Sequence, residues 1–84
     1  MKLVYFAWLR ERVGFSEEEI ELPGDVSTVE DLLTWLKTRG ENFAEALKHP
    51  EVVRVAIDQA LVNDPQAKIG SAREIALFPP MTGG

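Results

Sequence analysis

Residues 27–40 carry the pattern that constrains this chain most tightly. Val29, Leu32, Leu33 and Leu36 recur at i, i+3, i+4 and i+7, which draws one apolar stripe along a helix. Ser27-Thr28-Val29-Glu30 precedes it in the form of a capping box, the Ser27 hydroxyl and the Glu30 carboxylate each answering a free backbone N–H. Lys37 and Arg39 suit the helix C-terminus, and Gly40 follows as its cap. A helix apolar on one side must be covered, and the flanking segments alternate as strands do. The pattern therefore predicts a helix lying on a sheet.

The strands follow from the same reading. Lys2 to Trp8 is apolar on both alternating faces and reads as a central strand, with Leu3, Tyr5 and Ala7 on one face and Val4, Phe6 and Trp8 on the other. Leu9 to Phe15 reads as a polar connection turning at Gly14, and Glu17 to Leu22 as the acidic, solvated partner of a hairpin stopped by Pro23-Gly24-Asp25. Glu41 to Lys48 forms a second short helix presenting Phe43, Ala46 and Leu47, until His49-Pro50 breaks it. Glu51 to Ile57 is a strand covered on one face, Asp58-Gln59 a turn, and Ala60 to Val62 a short strand closed by Asn63-Asp64-Pro65. The last strand is Glu74 to Phe78. The expected fold is an α+β roll, a mixed sheet of four to five strands with one main helix packed on one face. Residues 1–78 make the domain, and residues 79–84 a projecting tail.

Size and composition narrow the function. At 84 residues the chain supports one modest core and no second domain. Without cysteine there is no disulfide, Cys-ligated zinc, iron–sulfur centre or thiol nucleophile, so the cytoplasm is the expected compartment. A net charge of -5 without any Lys/Arg run argues against nucleic acid and anionic membranes and favours partners with basic surfaces. The apolar N-terminus is too short for a membrane helix and lacks the cleavage pattern of a signal peptide.

Catalytic constellations are missing. The single histidine, His49, sits beside a proline with no partners in sequence and reads as solvent-exposed rather than as a base or metal ligand. Glu17-Glu18-Glu19 reads as the start of a solvated strand, since no calcium-loop spacing follows. No metal site and no bound cofactor are expected.

The distinctive feature is the C-terminal run. Gly83-Gly84 taken alone is equally a frayed end, but six residues follow Phe78, a reach of roughly 20 Å, and Pro79-Pro80 bias them toward an extended, stiff conformation. Two residues without Cβ let a terminal carboxylate pass along a narrow channel into another protein. A carboxylate resists nucleophilic attack until activated, and the chain has no nucleotide-binding motif, so an ATP-using partner would have to adenylate it.

Leu77-Phe78-Pro79-Pro80-Met81-Thr82-Gly83-Gly84 resembles the ending of the ubiquitin-like β-grasp sulfur carriers, in particular the small subunit of molybdopterin synthase. Tyr5-Phe6-Ala7 with Arg10-Glu11, Thr28-Val29-Glu30-Asp31-Leu32 and Gln59-Ala60-Leu61-Val62 extend the likeness over the chain. Three positions depart from it: Gly70-Ser71-Ala72-Arg73-Glu74 replaces an acidic-glycine-acidic turn, Asp58 stands where Asn is usual, and Met81 where Val is usual. The resemblance implies that a ubiquitin-activating-type enzyme adenylates Gly84 with ATP, and that a sulfur donor then displaces AMP to leave a thiocarboxylate. The tail, with Gly83 and Gly84 at its tip, then delivers sulfur to a cyclic pyranopterin inside the large catalytic subunit. It also implies a complex of two small and two large subunits.

Docking needs a surface. With the helix over Leu3, Tyr5, Val53, Val55, Ile75 and Leu77, the other sheet face carries Phe6, Ala56, Ala76 and Phe78 near Leu61. That face reads as a partner-binding patch made of Phe6, Leu61, Phe78, Pro79, Pro80, Met81 and Thr82 with Arg10 at its rim, or as ground covered by the second helix or a loop. Trp8 and Trp35 fit either core or patch. Rival functions are sulfur carriage for thiamin thiazole, a ubiquitin-like modifier joined to lysine, and a binding module with an inert tail.

Overall fold

The computed structural model describes residues 1–80. The element order is β1 (Lys2–Tyr5), α1 (Ala7–Val13), β2 (Glu17–Glu19), α2 (Val29–Lys37), α3 (Glu41–Ala46), a 3-10 turn (Pro50–Val52), β3 (Arg54–Ile57), β4 (Ala60–Val62) and β5 (Glu74–Phe78). The strands form one mixed sheet in the order β2-β1-β5-β3-β4. β1 and β5 run parallel, and the remaining pairs are antiparallel.

Alternation in β1, β3 and β5 sorts the sheet into two faces. Leu3, Tyr5, Val53, Val55, Ile75 and Leu77 are buried, as the sequence predicts, under the α2 residues Val29, Leu32, Leu33 and Leu36. Leu9 and Val13 of α1 and Phe43 and Ala46 of α3 join the same core, so all three helices lie on one side. The other face is left open.

The structure corrects several boundaries. The first strand ends at Tyr5 rather than Trp8, and the expected polar connection is instead the helix α1. Leu9 and Val13, four residues apart, share a helical face, and burying both outweighs the polar residues between them. Ala7 turns the chain out of the strand with φ of 53°, a left-handed value costing on the order of 1 kcal/mol. Gly14 does cap α1 in the left-handed conformation, and the Asn42 side chain donates to the Val13 carbonyl at 2.7 Å. β1 and β2 are therefore joined through a helix, not by the irregular polar connection expected.

Helix α2 is capped one residue later than expected. Thr28 is its N-cap, the Thr28 hydroxyl accepts from Asp31 N, and the Asp31 carboxylate accepts from Thr28 N, each at 3.1 Å. The backbone N–H groups of Ser27 and Thr28 hold the Asp31 carboxyl below its ordinary pKa. The helix closes at Thr38, and Gly40 opens α3 instead of capping α2. The strand expected from Glu51 starts at Arg54, because Pro50 begins a 3-10 turn. Likewise β2 spans only Glu17–Glu19 of the expected 17–22.

Candidate functional site: the open sheet face at the end of β5

Cross-strand register builds the open face in rows. Val4 of β1 lies beside Ala76 of β5, Ala76 beside Ala56 of β3, and Ala56 beside Leu61 of β4. This small apolar row crosses four strands. In the next row Phe78 pairs with Arg54, and Phe6 sits at the end of β1, its N–H donating to the Leu77 carbonyl at 3.1 Å.

Large apolar side chains cluster where β5 ends. Leu61 is 57% exposed and Phe6 47%, while Phe78, Pro79 and Pro80 are half-buried. A groove of about 310 Å³ there is lined by Arg54, Leu61, Asn63, Phe78 and Pro80. Neither proline has an N–H to donate, so the sheet ladder stops at Phe78. Arg10 is exposed on α1, one turn beyond Phe6, and does not line the groove. Met81, Thr82, Gly83 and Gly84 lie outside the described residues.

Val4, which the sequence places on the Phe6 face of its strand but outside the partner patch, completes the apolar row, and Arg54 is a member that the sequence did not single out. Arg54 stands next to Phe78 and places a positive charge beside the root of the tail.

The other residues singled out in the sequence have structural explanations. Trp8 and Trp35 both pack against the core, with the Arg12 and Arg39 guanidinium groups 5.4 and 5.3 Å above their rings. His49 is exposed, its Nδ1 lying 3.4 Å from Glu51. The acidic run splits three ways. Glu17 pairs with Lys2 at 3.1 Å and Glu19 with the Met1 amino group at 3.3 Å. Glu18 turns inward, accepting from Tyr5 OH at 2.7 Å and from both Arg39 Nη atoms at 2.8 and 2.9 Å. Burial opposes ionisation of Glu18, but the hydrogen bonds from Arg39 and Tyr5 prevail and hold its carboxyl below the ordinary pKa. Burial first, and then the bond to Glu18, pushes the Tyr5 phenol upward. Among the described residues no three His, Asp or Glu side chains are placed to hold a metal, and no helix is long and apolar enough to cross a membrane.

The departures at Asp58 and residues 70–74 meet in space. Asp58 and Gln59 both take positive φ, 49° and 72°, in the two-residue turn between β3 and β4. Asp58 Oδ1 accepts from Arg73 N and Glu74 N at 2.9 and 3.0 Å, tying that turn to the start of β5.

A chain with this topology, its central strand ending among exposed apolar groups, invites comparison with known proteins. The ThiS family matches residues 3–84. The chain belongs to that family. Its relatives include molybdopterin synthase sulfur carrier subunits of Haemophilus influenzae and Escherichia coli, 34% and 33% identical, each over 100% of this chain and 99% of the relative. The corresponding subunit of Dictyostelium discoideum is 36% identical, covering 99% of this chain and 94% of the relative. Among solved structures, a Pyrococcus furiosus protein assigned as molybdopterin converting factor subunit 1 superposes with a TM-score of 0.73 at 29% identity, over 95% of each chain. Small archaeal modifier protein 1 of Haloferax volcanii reaches 0.67 at 26% identity, over 96% of this chain and 97% of that one. The fold of this ThiS-family chain is the ubiquitin-like β-grasp.

Proposed function

We propose that this ThiS-family chain is the sulfur-carrying subunit of a molybdopterin synthase, with residues 1–78 as a docking platform and residues 79–84 as the reactive tail. One observation carries the reading. The central strand β5 brings Phe78, Pro79 and Pro80 to the exposed apolar end of the sheet, in a chain similar throughout its length to proteins named as such carriers.

The chemistry belongs to the Gly84 carboxylate. A ubiquitin-activating-type partner transfers AMP from ATP to one carboxylate oxygen and releases pyrophosphate. Sulfur at the sulfide level attacks the acyl carbon, AMP leaves with the C–O electron pair, and a thiocarboxylate remains. Inside the large catalytic subunit the thiocarboxylate sulfur attacks a side-chain carbon of a cyclic pyranopterin and displaces an oxygen substituent from it. Water then hydrolyses the acyl–sulfur bond, leaving sulfur on the substrate and regenerating the carboxylate. Two deliveries supply both sulfurs of the dithiolene, which suits an assembly of two small and two large subunits. The chain itself binds no cofactor and is no enzyme alone, since ATP is used by the adenylating partner. Phe6, Leu61 and Phe78 with Pro79, Pro80, Met81 and Thr82 form the contact with the large subunit, and Arg10 a rim charge.

Intact-protein mass spectrometry after incubation with ATP, the adenylating enzyme and a sulfur donor tests this. Replacement of one oxygen by sulfur at Gly84 is expected, and removal of Gly83 and Gly84 should abolish sulfur transfer without altering the melting temperature. A truncated chain that still supports molybdopterin formation would overturn the proposal. Similarity to small archaeal modifier protein 1 favours a second reading, a modifier joined through Gly84 to lysine. Isopeptide conjugates on other proteins, with no thiocarboxylate, would establish that reading instead.

A further inference from the structure

The sheet has two edges, and the chain treats them oppositely. On β2, Glu17 and Glu19 are exposed and paired with Lys2 and the Met1 amino group, and charges of this kind discourage another strand from adding. On β4, Ala60, Leu61 and Val62 are uncharged, and among the described residues no backbone hydrogen bond outside the β3 ladder reaches residues 60–63.

A groove flanks that second edge on each face. On the open face it is the 310 Å³ groove of Arg54, Leu61, Asn63, Phe78 and Pro80. On the helical face a groove of about 140 Å³ runs between α2 and the β3–β4 end of the sheet, with Val29, Leu33 and Val62 on its apolar side and Glu51, Arg54 and Asp64 on its charged side. Successive side chains of a strand point to opposite faces. A strand paired with β4 would seat alternate side chains in the two grooves while its backbone hydrogen-bonds to the edge.

We propose that β4 accepts an extended segment of the large synthase subunit as a sixth strand, so that the protein receiving the tail also continues the sheet. This rests on the carrier reading above. Continuity selects the occupant: Leu61 and Phe78 belong both to the face assigned to that subunit and to the groove beside β4, so a protein covering the face already reaches the edge. Charge selects its sequence. Among the described residues Arg54 has no carboxylate within ion-pair distance, so the segment carries an acidic side chain on the Arg54 side and an aliphatic one facing Val62. A second copy of this chain offers Ala60–Val62, which holds no acid for Arg54.

The test is residue-resolved amide hydrogen exchange by NMR on the full chain, alone and saturated with the large molybdopterin synthase subunit, with complex formation followed separately by size exclusion. Amides of residues 60–63 that face away from β3 should slow by about tenfold or more in the complex, in alternation along the strand, while Glu17–Glu19 are unchanged. Arg54→Glu should weaken association by about tenfold with the fold retained. A complex that forms without slowing these amides overturns the edge proposal and leaves the carrier reading standing. Slowing that depends on the chain's own concentration, with no large subunit present, assigns the edge to a second copy and also overturns it. If no complex forms, the carrier reading fails and the edge proposal with it.

Discussion

Replacing Glu18 with Ala removes an acceptor shared by three donor atoms. Tyr5 is 1% exposed and its hydroxyl donates to Glu18 Oε2, so truncation leaves a buried O–H unsatisfied at about 1–3 kcal/mol. The Arg39–Glu18 pair is bidentate, with side chains 28% and 15% exposed. Its loss falls between the ~0–1 kcal/mol of an exposed pair and the ~3–5 of a fully buried one. Together these give about 2–4 kcal/mol, which in a domain this small lowers the melting temperature by on the order of 10–25 °C. Glu17→Ala is the matched control, because its pair with Lys2 leaves both side chains about half exposed, where solvent screens the attraction and little stability is lost. Urea denaturation of the three proteins at neutral pH measures the difference. Acidification supplies a second reading: Glu18 is held below its ordinary pKa when folded, so its contribution is complete above the normal carboxylate range and disappears as pH falls through the lowered folded value. The gap between parent and Glu18→Ala should narrow on acidification. Equal costs for Glu18→Ala and Glu17→Ala would refute the network.

Other perturbations probe the remaining parts. Leu9→Ala should cost about 2–4 kcal/mol because Leu9 is fully buried on α1, whereas Arg10→Ala should stay within ~0.5, both read by thermal unfolding. Leu61→Asp should leave stability within about 0.5 kcal/mol and abolish association with the large subunit in calorimetric titration. Phe78→Ala should weaken that association more than it destabilises the chain, and equal losses would place Phe78 in the core. Asp58→Asn keeps an oxygen for Arg73 N and Glu74 N and should be nearly neutral, while Asp58→Ala should cost about 1 kcal/mol in denaturant unfolding.

The sequence was most readable where periodicity and burial agree. The α2 stripe, the bounds of β4 and β5, and the six residues facing the helices all follow from spacing alone. It was least readable at Val4 to Val13, where an apolar run is compatible with strand or helix and only the shared burial of Leu9 and Val13 decides. The cap of α2 slipped by one because Ser27 and Thr28 are both hydroxyl donors and acceptors, followed three residues on by Glu30 and Asp31, both acids. Arg54 escaped notice as a site residue because its neighbour Phe78 is 24 positions away, and only the antiparallel register joins them. The resemblance at the tail was plain in the sequence, and its last four residues fall outside the described structure.

The placement of β5 also bears on how the chain is made. Synthesis proceeds from the N-terminus at about 5–20 residues per second, so β5, the last strand along the chain, emerges after every other. Yet it is the middle strand of the sheet, between β1 and β3, and without it the two halves share no backbone ladder. A ribosome-bound fragment lacking residues 74–78 cannot close the platform. Folding therefore waits for distant partners, a slow step by topology. Any finished platform already contains β5, so a partner that grips the folded body meets only chains made at least as far as Phe78.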